Sequence, residues 1–426
     1  MRSPSFATLA RKELRELAAS RAYWILLLLI GPLTGHAFIT AVDAYAEASG
    51  IGGGAAALAS ALTPLDGIFT PTFGAYDLAV TLLYPFVAIR LLSAELESGA
   101  WKLMVQTPAS VMALLAAKAA ALFAGWLVAW IPAVIAIALW KSYGGAMHGP
   151  EIATLLLGHL LRFAVATGVA LAAAAATRGG SSAAIVTLAF TVGTWALDFA
   201  AAGQGGIVRE IAAYTPSAIL RGFEHGLLSL NAAAVSAILA AAGLAFAAIC
   251  LSSENRLKTA VALAVLLCST AFMHASWDFS ENRRNSFAPA DQAALRVAPP
   301  LRVTINLAAE DPRLADFENV LAKLNRTVPR LDVVYAARSR SGLFEGDRYG
   351  EIWYEANGRR AMNRAATTAI VLDTIYRVAG IQPPPRGSGA DFAGHPLAAR
   401  PDGAAWIYYL LWPCGIAVAW WFVNKE

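Results

Sequence analysis

Seven apolar runs, each long enough to cross a bilayer, precede a charged stretch from Trp277 to Gly403, and an eighth run follows it. That succession restricts the chain to a fold threaded through lipid. About 20 apolar residues in a helix cover a hydrocarbon core of roughly 30 Å, and the helix satisfies its own backbone polar groups there. The runs lie near 23–43, 73–92, 112–139, 152–176, 182–201, 231–251, 258–276 and 404–423. With 58% hydrophobic and 15% charged residues, the chain is far from a soluble average of about 25% charged, which excludes a single soluble core. The expected fold class is mainly α: a polytopic membrane protein of eight transmembrane helices, with a small α/β domain between spans seven and eight.

Basic residues orient it. With the N-terminus inside, the inner segments carry Arg2, Arg11, Lys12, Arg15, Arg21, Lys102, Arg178, Arg256, Lys258 and Lys425, while the short outer loops carry only Lys141, Arg209 and Arg221. Both termini are then cytoplasmic and residues 277–403 extracytoplasmic, since long domains translocate largely regardless of charge. The run from Tyr23 is too long for the apolar region of a signal peptide, so the first span is expected to stay. Cys250, Cys268 and Cys414 all fall inside apolar spans, where they read as buried small hydrophobes.

Residues 1–22 precede the first span. Phe6, Leu9, Ala10, Leu14 and Leu17 recur at helical spacing opposite Arg11, Lys12, Glu13, Arg15 and Glu16, which predicts an amphipathic helix lying in the inner interface. The outer loop from Asp43 to Gly74, with GIGGG at 50–54, lacks the context of a phosphate cradle. After the second span, residues 93–108 alternate charged and apolar side chains and close on Thr107-Pro108. They read as a short cytosolic helix with an exposed Trp101, suited to docking on a partner.

The basic amphipathic start, the span–loop–span that follows, and the set Glu95, Glu97, Gly99, Pro108 and Lys118 resemble the permease subunits of type-2 ABC exporters. The outer segment Ile207 to Leu230, with Tyr-Thr-Pro-Ser at 214–217 and Arg-Gly-Phe-Glu-His-Gly at 221–226, is similar to the outer hairpin of that family. Ala100 departs from it, standing where the family usually carries a hydroxyl. The resemblance covers residues 5–255. It implies a seven-span permease domain over 23–276, and a coupling segment in which Glu95, Glu97, Gly99, Trp101 and Lys102 meet an ABC ATP-binding subunit. It further implies a second permease copy, identical or related, and a place in the bacterial inner membrane among its lipids, with no nucleic-acid partner.

Within 277–403, Leu301 to Leu307 alternates as a strand, Asp311-Pro312 opens a helix to about Arg326, and Leu331 to Tyr335 forms a second strand. Tyr349 to Glu355 and the residues after Asn357-Gly358 predict a hairpin, and a helix follows from Asn363 to Ala379. The order argues for a small α/β layer domain. Tyr349, Trp353 and Tyr354 read as sheet packing. Asp278, Glu281, Arg283 and Arg284 read as anchors at the membrane junction. The segment resembles the extracytoplasmic domain of gliding-motility-type ABC auxiliary proteins, with an entry at Glu281 to Phe287 and a closing anchor at 404–426. That implies a permease fused to its auxiliary subunit, whose outer domain binds either cargo or an envelope protein.

Ionisable groups at membrane depth cost a few kcal/mol at least, so those inside spans are candidates for function. His36, Asp77, Arg90, His159, Arg162 and Asp198 qualify. Asp77, Arg90 and Asp198 are expected near span ends, and His159 and Arg162 on one face of span four, with Arg162 paired to Asp198. Pro32, Pro85, Pro132 and Pro413 are expected to kink or break their helices. No catalytic set, metal site or cofactor is expected. The chain has no Gly-x-x-x-x-Gly-Lys-Ser/Thr sequence, so ATP would act on a partner subunit. The reading these features favour is the membrane half of an ATP-driven exporter. The alternative is a non-transporting assembly factor or sensor whose outer domain binds an envelope partner.

Overall fold

A computed structural model describes residues 5–49, 63–201, 207–252, 256–270, 273, 275–308, 311–336, 348–385, 392, 394–423 and 425. The glycine run at 50–54 and Glu310 lie outside them. Among the described residues, seven helical stretches are long and apolar enough to cross a membrane. The chain divides into two units. One comprises residues 1–193, 219–277 and 392–426, the other residues 194–218 and 278–391.

In the first unit, α1 (Phe6–Ala19) precedes α2 (Arg21–Ser49), and a π-helical turn (Leu65–Phe69) runs directly into α3 (Thr70–Ser98). A short α4 (Ala100–Met104) follows Gly99, whose positive φ of 77° ends α3 in the left-handed conformation that glycine adopts without strain. One span is made of α5 (Val111–Ala129) and α6 (Ile131–Ser142), and α7 (Gly149–Thr177) and α8 (Gly180–Ala201) form the next two. Beyond them lie α9 (Ile207–Ala212), which belongs to the second unit, α10 (Pro216–Glu224) and the short strand β1 (Leu227–Ser229). Then come α11 (Leu230–Leu251), α12 (Arg256–Thr270) and β2 (Ser276–Asp278).

The seventh expected span, at 258–276, is represented by α12, whose 15 residues fall short of a full crossing as a helix. Its far end is nevertheless tied to the start of α11: Leu230 N donates to Ala275 O at 3.0 Å, and Asn231 Nδ2 to Thr270 O at 2.6 Å. A helix as long as α11 advances roughly 33 Å, and the chain after it returns to the level at which α11 began.

Small residues set the closest helix approaches. A Cβ on Gly168 of α7 would lie 2.7 Å from Ala240 O, and one on Gly243 of α11 would lie 2.5 Å from the Gly168 carbonyl carbon, so the two backbones meet directly. Gly31 and Gly35 on α2 leave room for Trp412 and Tyr408 of the C-terminal segment. That segment is docked rather than peripheral, since Trp412 Nε1 donates to Leu27 O at 2.7 Å and Tyr408 Oη to Pro132 O at 2.8 Å.

The four prolines do not act alike. Pro32 and Pro85 lie within uninterrupted helices, and only Pro132 coincides with a break, after Trp130. Pro71 and Pro413 each stand two residues past a π-helical turn, Leu65–Phe69 and Ile407–Leu411, and Thr70 N and Trp412 N reach back five residues to Leu65 O and Ile407 O. A proline ring clashes with the carbonyl four residues earlier, and the wider turn relieves that crowding. The first turn also lengthens the second span to Leu65–Ser98, which moves Asp77 well inside it rather than near its end.

The second unit carries α13 (Pro289–Arg296), β3 (Leu301–Ile305), α14 (Pro312–Thr327), β4 (Leu331–Tyr335), β5 (Ile352–Ala356), β6 (Arg359–Asn363) and α15 (Thr368–Ala379). Its sheet runs β4-β3-β5-β6, with β3 and β4 parallel around α14 and the remaining pairs antiparallel. Leu301, Val303 and Ile305 alternate onto the face that buries Phe317, Leu324, Tyr354 and Ile375. Asn357 and Gly358 both take positive φ, as the β5–β6 turn requires. The last helix begins at Thr368, five residues later than expected, because 359–363 are spent on β6. Residues Ala404–Trp406 (α16), the second π turn and α17 (Trp412–Val423) complete the first unit.

Candidate functional site

Helix α1 buries a charge as well as an apolar stripe. Leu17 and Glu13 face the bundle, while Phe6 and Leu14 point outward. Glu13 meets Lys118 of α5, a fully buried lysine: Lys118 Nζ lies 2.7 Å from Glu13 Oε2, 2.7 Å from Glu95 Oε2 of α3 and 3.1 Å from Leu91 O. Lys12 closes the group against Glu95, Glu13 and Glu16, the last two at 3.0 Å, and its ammonium reaches Met104 Sδ at 3.4 Å. Two lysines and three carboxylates thus tie α1, α3, α4 and α5 together. Burial pushes the Glu13 carboxyl above its ordinary range, with Lys118 pulling against that shift. Burial pulls the Lys12 ammonium down, but its bonds to Glu95, Glu16 and Glu13 outweigh this and raise it.

The residues of 93–108 separate into three roles. Glu95 belongs to the buried ionic group. Glu97 is exposed and caps the start of α8, accepting from Gly180 N at 2.9 Å. Trp101 is buried, only 6% exposed, against the expectation of an open indole; it packs into the apolar core beside α3. The exposed side chains of the short helix are Lys102, Leu103 (67%) and, just after it, Val105 (41%). Leu103 on the short helix and Val105 just after it are thus the exposed large apolar side chains here, in place of the expected Trp101.

A second polar group lies within the span bundle. Arg162, 6% exposed, has its Nε 3.6 Å from Asp77 Oδ1, so its acidic partner is Asp77 and not the expected Asp198. Asp77 also accepts from Thr81 Oγ1 at 3.1 Å, and Asp198 faces Ser217 Oγ at 3.5 Å. His159 lies 3.5 Å from Glu224 Oε1, with the Phe73 ring 5.1 Å away. His225 lies 3.3 Å from Asp66 Oδ1. His159 and Arg162 therefore do share a face of α7, but they use different partners, from α10 and α3. His36 Nδ1 is 3.3 Å from Tyr409 Oη on the docked C-terminal segment.

In the second unit Asp311 caps α14, accepting from Arg313 N at 3.0 Å, from the Arg313 guanidinium at 2.7 Å and from Tyr349 Oη at 2.8 Å. The Arg313 side chain holds the Asp311 carboxyl down to about 2. Asp278 organises the entry at 278–286, accepting from Ser280 N at 3.0 Å and Ser286 Oγ at 2.6 Å. Tyr354 is core, and Trp353 carries Arg360 over its ring at 4.1 Å. Arg209 of α9 joins this unit through Glu318 at 3.2 Å and the Tyr335 ring at 5.3 Å. Cys268 and Cys414 lie on the outer surface of their helices rather than buried.

No family model matches the chain, and neither a curated protein nor a solved structure does.

Proposed function

We propose that this chain is the membrane-spanning permease subunit of an ATP-driven ABC export system, working with a separate nucleotide-binding subunit and a second permease copy. The observation that carries the reading is the exposed pair of Leu103 on α4 and Val105 just beyond it, a docking knob backed by the buried ionic group. A partner pressing on α4 acts on a segment already fastened to α1, α3 and α5. The Lys12 ammonium touches both Met104 and Glu95, and Glu95 meets Lys118 of the next span, so the push reaches two spans without first taking up slack. The sequence has no phosphate-cradling motif of its own, which assigns ATP hydrolysis to the partner.

The orientation has two supports. Arg209, from the segment after the fifth expected span, packs with Glu318 and Tyr335, so that segment and the inserted domain share one unit. The bonds from Leu230 and Asn231 to Ala275 and Thr270 return the chain to the same side before the domain begins. Both favour eight crossings, an extracytoplasmic domain and cytoplasmic termini.

The test is recovery of a nucleotide-binding subunit with the tagged full-length chain from its native membrane. The wild type is expected to bring it down, and Leu103→Asp with Val105→Asp to lose it by about tenfold, the equivalent of about 1.4 kcal/mol, with membrane insertion unchanged. A wild-type chain that carries no ATPase would sink the proposal.

A further inference from the structure

The inner end of α3 presents Phe86, Arg90, Ser93 and Glu97 along one stripe, at spacings of four, three and four residues. Their side chains line a cavity of about 620 Å³ closed on its far side by Gly180, Ser181 and Ala184 at the start of α8. The approach is close, since a Cβ on Gly180 would lie 3.8 Å from Ser93 Cβ. Arg90 is exposed in this cavity and has no ion-pair partner among the described residues. Ser93 is 2% exposed, and its hydroxyl has no hydrogen-bond partner. Glu97 uses Oε1 on Gly180 N, which leaves Oε2 for another donor.

The α3 wall therefore offers a guanidinium and a buried hydroxyl, both suited to a phosphate. The rim adds a carboxylate, suited to an ammonium. A purely anionic ligand would be repelled by Glu97, whereas a ligand with phosphate and amine a few bonds apart satisfies both. Beyond Phe86, Ile89 and Ala184 the space between α3 and α8 narrows to about 10 Å³ between Thr81, Pro85, Leu188 and Thr191, too little for an acyl chain. The polar groups stand beside the exposed ring of Phe86 at the end of an apolar span, the level at which a lipid head group meets its chains.

We infer that this pocket holds the head group of an inner-leaflet aminophospholipid, its phosphate at Arg90 and Ser93 and its ammonium at Glu97. The inference rests on the orientation proposed above but not on the ATPase partner, so failure to recover an ATPase leaves it standing.

The experiment is native mass spectrometry of the full-length chain purified from mixed vesicles of phosphatidylethanolamine, phosphatidylcholine and phosphatidylglycerol. Retained phosphatidylethanolamine is expected to exceed the other two. Arg90→Gln should lower it about tenfold, in keeping with the loss of a charge-assisted contact. Glu97→Gln should keep a lipid but lose the preference for ethanolamine over choline. Ala184→Trp, which fills part of the cavity and leaves every polar group in place, should also release it, so the inference stays testable if Arg90→Gln fails to fold. Equal retention of the three lipids by the wild type would overturn it. So would full retention in Arg90→Gln and Ala184→Trp, and displacement of the bound lipid by soluble phosphoethanolamine would show a site for the head group alone.

Discussion

A lysine with no exposure inside an apolar helix is stable only because two carboxylates reach it from other elements. Removing Lys118 strands Glu13 Oε2 and Glu95 Oε2 without a cation on that side. Lys118→Met is therefore expected to destabilise the chain by about 3–5 kcal/mol, the range for breaking one partner of a buried pair. Adding Glu13→Gln should recover part of the loss, and a double-mutant cycle read by thermal unfolding in detergent checks it. The sign of the pH dependence follows from Glu13, whose carboxyl is raised. Its contribution is fully present below the ordinary carboxylate pKa and declines as pH rises through the raised value, so Glu13→Gln should flatten that slope. At this scale the sequence was partly legible. Lys118 interrupts an Ala-rich run, a position that demands a buried acid, yet the acid comes from 105 residues earlier and no local pattern announces it. Arg162 shows the same limit, since its face of α7 could be read from spacing, but the choice between Asp77 and Asp198 depends on how α3 and α7 cross.

Among the elements, the α7–α11 crossing is fixed by backbone rather than by side-chain shape. A methyl group at Gly168 would press on Ala240 O, which no rotamer change can move aside. Gly168→Ala is expected to cost about 1–3 kcal/mol through overpacking. Gly415→Ala, where nothing lies within 4 Å, should instead be neutral or stabilising by up to about 1 kcal/mol through helix propensity. Unfolding temperatures of the two variants under the same conditions decide the matter, and equal shifts would refute a backbone contact. The soluble elements were the easier part to read. Strands β3 and β4, the Asp311 cap and the Asn357-Gly358 turn follow from alternation and local backbone preference. The membrane elements announce their existence through hydropathy, but their partners depend on single glycines. Gly31 and Gly35 went unremarked for this reason, although glycines four residues apart in an apolar run mark a surface where another helix comes close. The π turns before Pro71 and Pro413 were likewise read as loop and kink, because a proline's missing donor says that a helix must adjust without saying how.

Across the whole molecule, function turns on which side of the bilayer the inserted domain occupies. Six crossings before Trp277 would return the domain to the side of the N-terminus, whereas seven carry it across. Helix α12 is too short to decide this alone, but Thr270 and Ala275 are bonded to the first residues of α11, the return that a seventh crossing would make. The domain also shares a unit with α9, and the Arg209–Glu318 pair would have to break if the two lay on opposite faces. A chain with Cys250, Cys268 and Cys414 replaced by serine, carrying a single cysteine at Arg360, at Arg209 or at Lys102, separates the two topologies. With a membrane-impermeant thiol reagent on intact cells, positions 360 and 209 are expected to label to a similar extent, and position 102 only after the membrane is opened. Labelling at 360 that tracks position 102 would place the domain beside the docking knob, on the face where a nucleotide-binding subunit must sit. The export reading would then lose its outer domain and its open cytoplasmic face together.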